Sequence, residues 1–331
     1  MLNKKQIIKA LKIIIPILFG AFLIWITYKN TTPQEREDVV RYIREANYFW
    51  VGVSIFLGLL SHLSRAYRWG FTLEALGYKP KFLNRFMAVM IAYFANLGIP
   101  RSGEVLRATT LTTYENVPFE KAFGTIVAER IADVIMSLVF IATALVLQYD
   151  LILTIFEQVF TLFKNKIVTN IFALFAFSGF FLIILYVAYR VFKNPKNKFV
   201  LKIKTFLLGL KDGVLSIITM KKKWAFIAHT IFIWVMYLFM FYVIFFTIPE
   251  TQNISFSAAI VSFVTGSFTI ATTNGGLGSF PLVIQETLSL FKVSTQSGLA
   301  VGWIIWGSQT LLTLVAGTFS FFYLPIFNNK K

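Results

Sequence analysis

The chain has 331 residues, is 57% hydrophobic and only 14% charged, which is too little charge for a water-soluble domain. It has no cysteine, which excludes disulfide frameworks, thiolate catalysis and cysteine-based zinc sites. The net charge of +17 lies between apolar runs and not on one soluble face, which argues against nucleic-acid binding and for loops at a membrane surface.

Taken from the start, Lys4, Lys5, Lys9 and Lys12 precede an apolar run from Ile13 to Thr27 with no small-residue cleavage site. This predicts an uncleaved first span at about 10–28. Further runs long enough to cross a bilayer lie at about 48–66, 122–148, 167–190, 224–248 and 296–323. Two more apolar segments are broken. Residues 84–111 are interrupted at Asn96-Leu-Gly-Ile-Pro-Arg-Ser-Gly103, and residues 257–291 at Asn274-Gly-Gly-Leu-Gly-Ser-Phe-Pro281. Residues 198–220 alternate apolar and basic positions and read as a cytoplasmic amphipathic helix. Residues 150–163 read as a short outer interfacial helix.

Loop charge orders these spans. The lysine-rich N-terminus starts inside, and residues 29–45, with four basic and four acidic side chains, suit the outside. Residues 65–85 carry Arg65, Arg68, Lys79, Lys81 and Arg85 against Glu74, and residues 190–223 carry ten Lys or Arg against Asp212, so both suit the inside. Only two full crossings fit between those loops, so 84–111 is expected to enter and leave by the cytoplasmic side. Residues 257–291 then dip in from the outside. The expected fold is an all-α polytopic membrane protein, a single domain over 1–331. It would have about six full spans, two oppositely directed re-entrant hairpins and both termini in the cytoplasm. Eight ordinary spans with Gly/Pro kinks are the alternative.

Three polar constellations fall at or near the breaks. In the first, Pro100 suits the first turn of a helix, and Arg101, Glu104 and Arg107 are spaced to share one helical face. Glu104 is expected to pair with either arginine, leaving spare positive charge for an anion such as a phosphate, or closing a cluster that holds the hairpin. Asn96 lies just before. In the second, Glu129 and Asp133 share a face at i, i+4 with Arg130 beside them, and the six ionisable groups sum to neutrality, as a compensated network would. In the third, Asn274, Gly275, Gly276 and Gly278 allow a sharp turn, with Ser279 as a helix cap, Pro281 in the first turn and Glu286 as a further counter-charge. His62, Arg65 and Arg68 read as snorkelling anchors at the cytoplasmic end of the second span, with a headgroup contact as the alternative, and His229 as a packed or interfacial histidine. Gly298 and Gly302 form a GxxxG packing contact. No HExxH, Walker loop or paired acidic metal motif occurs, so neither a metal nor a cofactor is expected.

The ordered strings Asn96…Pro100-Arg101-Ser-Gly-Glu104…Arg107, Glu129-Arg130…Asp133 and Asn274-Gly-Gly-Leu-Gly278 resemble the lysylphosphatidylglycerol synthase transmembrane-region family. This is the flippase-like membrane domain of multiple peptide resistance factors, and the resemblance covers about residues 10–325. It implies an inner-membrane protein that translocates or binds an anionic phospholipid or a lipid-linked sugar headgroup. Arg101, Glu104, Arg107, Asn96, Asn274, Gly275, Gly276, Gly278 and Ser279 would lie at the headgroup, with Glu129, Arg130 and Asp133 in support. Two departures stand out. Asn274 occupies a position where the family often has Pro, and the chain ends at Lys331, so no soluble synthase domain is expected. A lipid-modifying transferase and a non-catalytic partner of an envelope enzyme are the alternative functions.

Overall fold

The computed structural model describes residues 20–29, 31–99, 101–149, 220–273 and 275–329, together with Leu18, Leu208 and Leu215. The expected span at 167–190 and the segment at 150–163 lie outside the described residues, as does the amphipathic helix at 198–220 apart from Leu208, Leu215 and Met220. Residues 20–29 are helical, and no strand occurs among the described residues. Nine helices are numbered here in chain order. They are α1 (Pro33–Glu45), α2 (Tyr48–Ala75), α3 (Phe82–Gly98), α4 (Gly103–Glu115), α5 (Phe119–Leu147), α6 (Lys223–Tyr242), α7 (Phe256–Thr272), α8 (Ser279–Ser289) and α9 (Thr295–Asn328). Short 3-10 turns at Val243–Thr247 and Pro249–Thr251 follow α6.

Local chemistry explains the helix starts. Thr32 and Glu35 make a reciprocal capping box at α1, with Pro33 at its first position. The side chains of Asn47, Ser255 and Ser294 accept backbone N–H bonds at the starts of α2, α7 and α9. Four helical stretches, α2, α5, α6 with its 3-10 extension and α9, are long and apolar enough to cross a membrane. Their large apolar side chains face outward: Ile131, Val134, Ile135 and Leu138 of α5 and Leu311, Val315, Phe319 and Phe322 of α9 are exposed. In water this would be a fault; with lipid as the solvent it is the expected arrangement. The chain is an all-α, multi-pass membrane protein.

Both broken segments fold as antiparallel helical hairpins. In α3/α4, the backbone N–H of Lys81 donates to Glu115 Oε1 (3.0 Å), bringing the start of α3 to the end of α4. At the other end, Gly103 N–H donates to Asn96 Oδ1 (2.8 Å). In α7/α8, Thr265 and Thr287 hydroxyls meet at 3.1 Å, and Gly266 lies under Phe280 and Ile284. The four helices have 17, 13, 17 and 11 residues, each short of the about 20 needed to span.

Helix α9 gives the two hairpins a common scale. At its C-terminal end, Asn328 exchanges amide hydrogen bonds with Asn84 near the start of α3, and Gly317 packs on Phe94 further along that helix. At its N-terminal end, Gly298 packs on Gln285 near the end of α8, and Gly302 on Pro281 near its start. The Gly298–Gly302 pair is therefore a packing contact within the chain. The bases of the hairpins stand at opposite ends of α9 and their tips converge near its middle. There Trp306 Nε1 donates to the Gly275 carbonyl (2.8 Å), and a side chain at Gly275 would face Leu97.

Candidate functional site

The charged residues of α2, α4 and α5 assemble into one buried network. Glu129 lies between two guanidinium groups, Arg68 Nε at 3.2 Å and Arg107 Nη2 at 2.6 Å. The second is a close ionic contact between two buried side chains. Asp133 contacts Arg65 at 2.7 Å and Arg68 at 3.0 Å, with Arg130 at 3.8 Å. Glu104 pairs with Arg130 at 2.7 Å. The i, i+3 spacing of Arg65 and Arg68 on α2 faces the i, i+4 spacing of Glu129 and Asp133 on α5, so one helical face supplies the bases and the other the acids.

Neighbouring polar groups fix these side chains. Arg68 Nη1 also donates to Thr230 Oγ1 on α6 (3.0 Å). The Arg107 guanidinium lies 3.8 Å above the Trp69 ring, whose Nε1 donates to Thr125 Oγ1 at 2.8 Å. Arg65 Nη2 donates to the Tyr237 hydroxyl (3.3 Å), which is 3.0 Å from that of Tyr93. The His62 ring lies 4.6 Å from the Tyr93 ring.

Several sequence expectations change here. Arg65 and Arg68 are not snorkelling anchors: they are 3% and 0% exposed. Helix α2 continues to Ala75, past the expected end at 66, so both arginines stand inside it, where they must find carboxylates. Arg101 does not share the face of Glu104 and Arg107. Helix α4 begins at Gly103, and Arg101 sits before it, exposed and in a left-handed conformation (φ 61°). Glu104 pairs with Arg130 and with neither expected arginine, and Arg107 pairs with Glu129. Asn96 caps α4 through Gly103, whose Cα is so close to the Ala92 carbonyl that a side chain there would overlap it.

The glycine turn has a different character. Gly275, Gly276 and Gly278 have φ of 65°, 78° and 71°, conformations that favour residues lacking a Cβ. Gly278 is the cap position of α8 and Ser279 its first residue; the Ser279 hydroxyl bonds Thr273 (3.3 Å). A side chain at Gly278 would meet the Gly20 backbone, so the first apolar helix closes over this turn. Glu286 is exposed and bonds Gln285, so it is not a counter-charge in the network. Asn274 and Pro100 lie outside the described residues. His229 is packed as expected, its Nδ1 2.8 Å from Ser64 Oγ and its ring stacked on Tyr67.

Arg65, Tyr93, Asn96, Glu104, Arg107 and Arg130 line a common cavity at the tip of α3/α4, large enough for about one water molecule. Four guanidinium groups meet three carboxylates across the network, a surplus of one positive charge. Arg65 Nε, Arg107 Nε and Glu104 Oε2 are buried without a protein hydrogen-bond partner. Buried N–H groups beside surplus positive charge suit an anion. No group of His, Asp and Glu side chains among the described residues is arranged to hold a metal.

Comparison with known proteins agrees with a membrane protein. A UPF0104 membrane protein of Methanocaldococcus jannaschii is 31% identical over 107 residues, a stretch covering 31% of this chain and 32% of that relative. No solved structure matches. The family described as lysylphosphatidylglycerol synthase TM region matches residues 13–317. With nearly the whole chain inside that match, the protein belongs to the lysylphosphatidylglycerol synthase TM region family.

Proposed function

We propose that the protein moves a lipid with an anionic headgroup between the leaflets of the cell membrane. In this reading the two hairpins are re-entrant from opposite faces, and the termini are cytoplasmic, as the loop charges favour. The observation that carries it is the surplus positive charge of the buried network, with the Nε atoms of Arg65 and Arg107, two residues that line the cavity, buried without hydrogen-bond partners. A headgroup phosphate would take the Arg107 side of the network, while Glu104 competes for positive charge when no lipid is bound. The cavity is too small for a headgroup in this conformation, so the tip of α3/α4 must move away from α5. The Glu104–Arg130 pair, whose side chains are 23% and 45% exposed, is the contact that yields most readily.

The test is leaflet exchange of a fluorescent anionic phospholipid by purified protein in liposomes. The expected result is exchange above that of empty liposomes, lowered about tenfold or more by Arg107→Gln. Exchange equal to empty liposomes across a panel of phospholipids and lipid-linked sugars rejects the proposal. A second reading, a network that only holds the fold, is favoured by the close pairing of Glu129 with two arginines. It predicts that Arg107→Gln lowers stability and leaves exchange per folded protein unchanged.

A further inference from the structure

A second cavity lies where α2 ends, α3 starts and α6 starts. Its volume is about 260 Å³, far larger than the cavity in the charged network. Arg85, Lys79 and Lys222 supply three positive charges to its wall and Glu74 one negative charge, a surplus of two. Tyr67 and Tyr78 add hydroxyl-bearing rings. None of these residues takes part in the ion pairs that join Glu129, Asp133 and Glu104 to their arginines.

The cavity is built from fixed parts. Arg85 reaches from α3 across α2, where its Nη1 donates to the carbonyls of Ala66 (3.0 Å) and Tyr67 (3.3 Å). It can lie there because residue 70 is glycine: any side chain at Gly70 would occupy the space of the Arg85 guanidinium. A glycine inside a long helix is destabilising relative to alanine, and seating this arginine gives it a reason to be there. Arg85 Nε is buried with no protein partner. The Tyr67 wall is held by its stack on His229. Lys222 bonds Glu74 at 2.8 Å, yet both side chains are well exposed, so that pair can open at little cost. Trp224, two residues beyond Lys222, is 75% exposed, as suits a tryptophan at a membrane–water interface.

We infer that this cavity binds a phosphate-bearing anion. Arg85 forms its floor, Lys79 and Lys222 close over the phosphate, and Glu74 gives up Lys222 to the ligand. Phosphate chemistry follows from the surplus of two positive charges, the spare guanidinium N–H and a volume beyond that of a simple ion. The phosphate could belong to a lipid headgroup or to a soluble phosphate ester. This inference does not depend on leaflet exchange, since a binding site here stands even if the buried network only holds the fold.

The test is native mass spectrometry of the full chain in detergent, titrated separately with dioctanoyl phosphatidic acid and with glycerol 3-phosphate. Lys79 and Lys222 are exposed, so their substitution should leave folding intact. The expected result is that Lys79→Gln with Lys222→Gln weakens binding about tenfold, while Glu74→Gln strengthens it about threefold. At least tenfold tighter binding of the lipid identifies a headgroup site; equal binding of the two probes identifies a soluble phosphate ester. Binding that changes less than about twofold in both the lysine and the Glu74 variants overturns the inference.

Discussion

The two helical hairpins solve the same problem by opposite means. Each breaks an apolar segment near the middle of α9, and each must satisfy the backbone groups freed by the break. Hairpin α3/α4 does so with polar side chains: Asn96 caps α4, and Arg107 and Glu104 tie the second helix to α5. Close approach also occurs in α3/α4, where Gly103 lies on the Ala92 carbonyl, but in α7/α8 it carries the turn itself. Three glycines with positive φ make the turn, Trp306 takes the Gly275 carbonyl, and Gly302 lets α9 lie directly on Pro281. Ion pairs can exchange partners with little change in backbone, whereas a close backbone contact fits or clashes. On the proposed function, α3/α4 is the hairpin that responds to an ionic ligand and α7/α8 the fixed one.

The largest effect is expected at the centre of the polar hairpin's support. Glu129 is 1% exposed and lies against both Arg68 and Arg107. Glu129→Gln keeps the shape but leaves the buried Arg107 without a carboxylate and Arg68 with Asp133 alone. Removing one partner of a buried ionic group costs about 3–5 kcal/mol. Thermal unfolding in detergent should show a loss of that order. A loss below about 1 kcal/mol would mean that water reaches these arginines, and the contrast between the hairpins would weaken.

The apolar hairpin should answer to volume and not to charge. A Cβ on Gly302 would stand 2.7 Å from Pro281 Cα, which is backbone and cannot swing aside. Gly302→Leu should cost about 1–3 kcal/mol through overpacking. The same unfolding measurement checks it, and the loss should not depend on salt. A cost that fell with added salt would show that α8 and α9 already part enough to admit ions.

Much of this was legible in the sequence. The long apolar runs gave the helical membrane class, and Asn96-Leu-Gly-Ile-Pro and Asn274-Gly-Gly-Leu-Gly marked both breaks. Glu104, Arg107, Glu129, Arg130 and Asp133 stood out because ionisable groups in apolar runs need partners. Partner choice was not legible. A spacing of three puts Arg101 on the face of Glu104 only if the helix has already started, and α4 starts two residues later. Arg65 and Arg68 looked like anchors because the apolar run fades near 66. The helix itself continues through Trp69 and Leu73, both fully buried. The matching spacings of Arg65/Arg68 and Glu129/Asp133 were the available signal, but pairing them requires knowing that α2 faces α5.

The smallest stability effect, and the sharpest test of the comparison, is expected at the Glu104–Arg130 pair. Its side chains are partly exposed, so removing either should change stability by about 1 kcal/mol or less. The charge balance changes far more. Arg130→Gln leaves three guanidinium groups against three carboxylates and removes the surplus, whereas Glu104→Gln leaves four against two and doubles it. Retention of an anionic phospholipid by purified protein should therefore fall in Arg130→Gln and rise in Glu104→Gln, with unfolding temperatures almost unchanged. If both variants shifted retention in the same direction, the pair would act by holding α4 against α5. Surplus charge would then explain nothing about lipid, and the polar hairpin would be as fixed as the glycine-rich one.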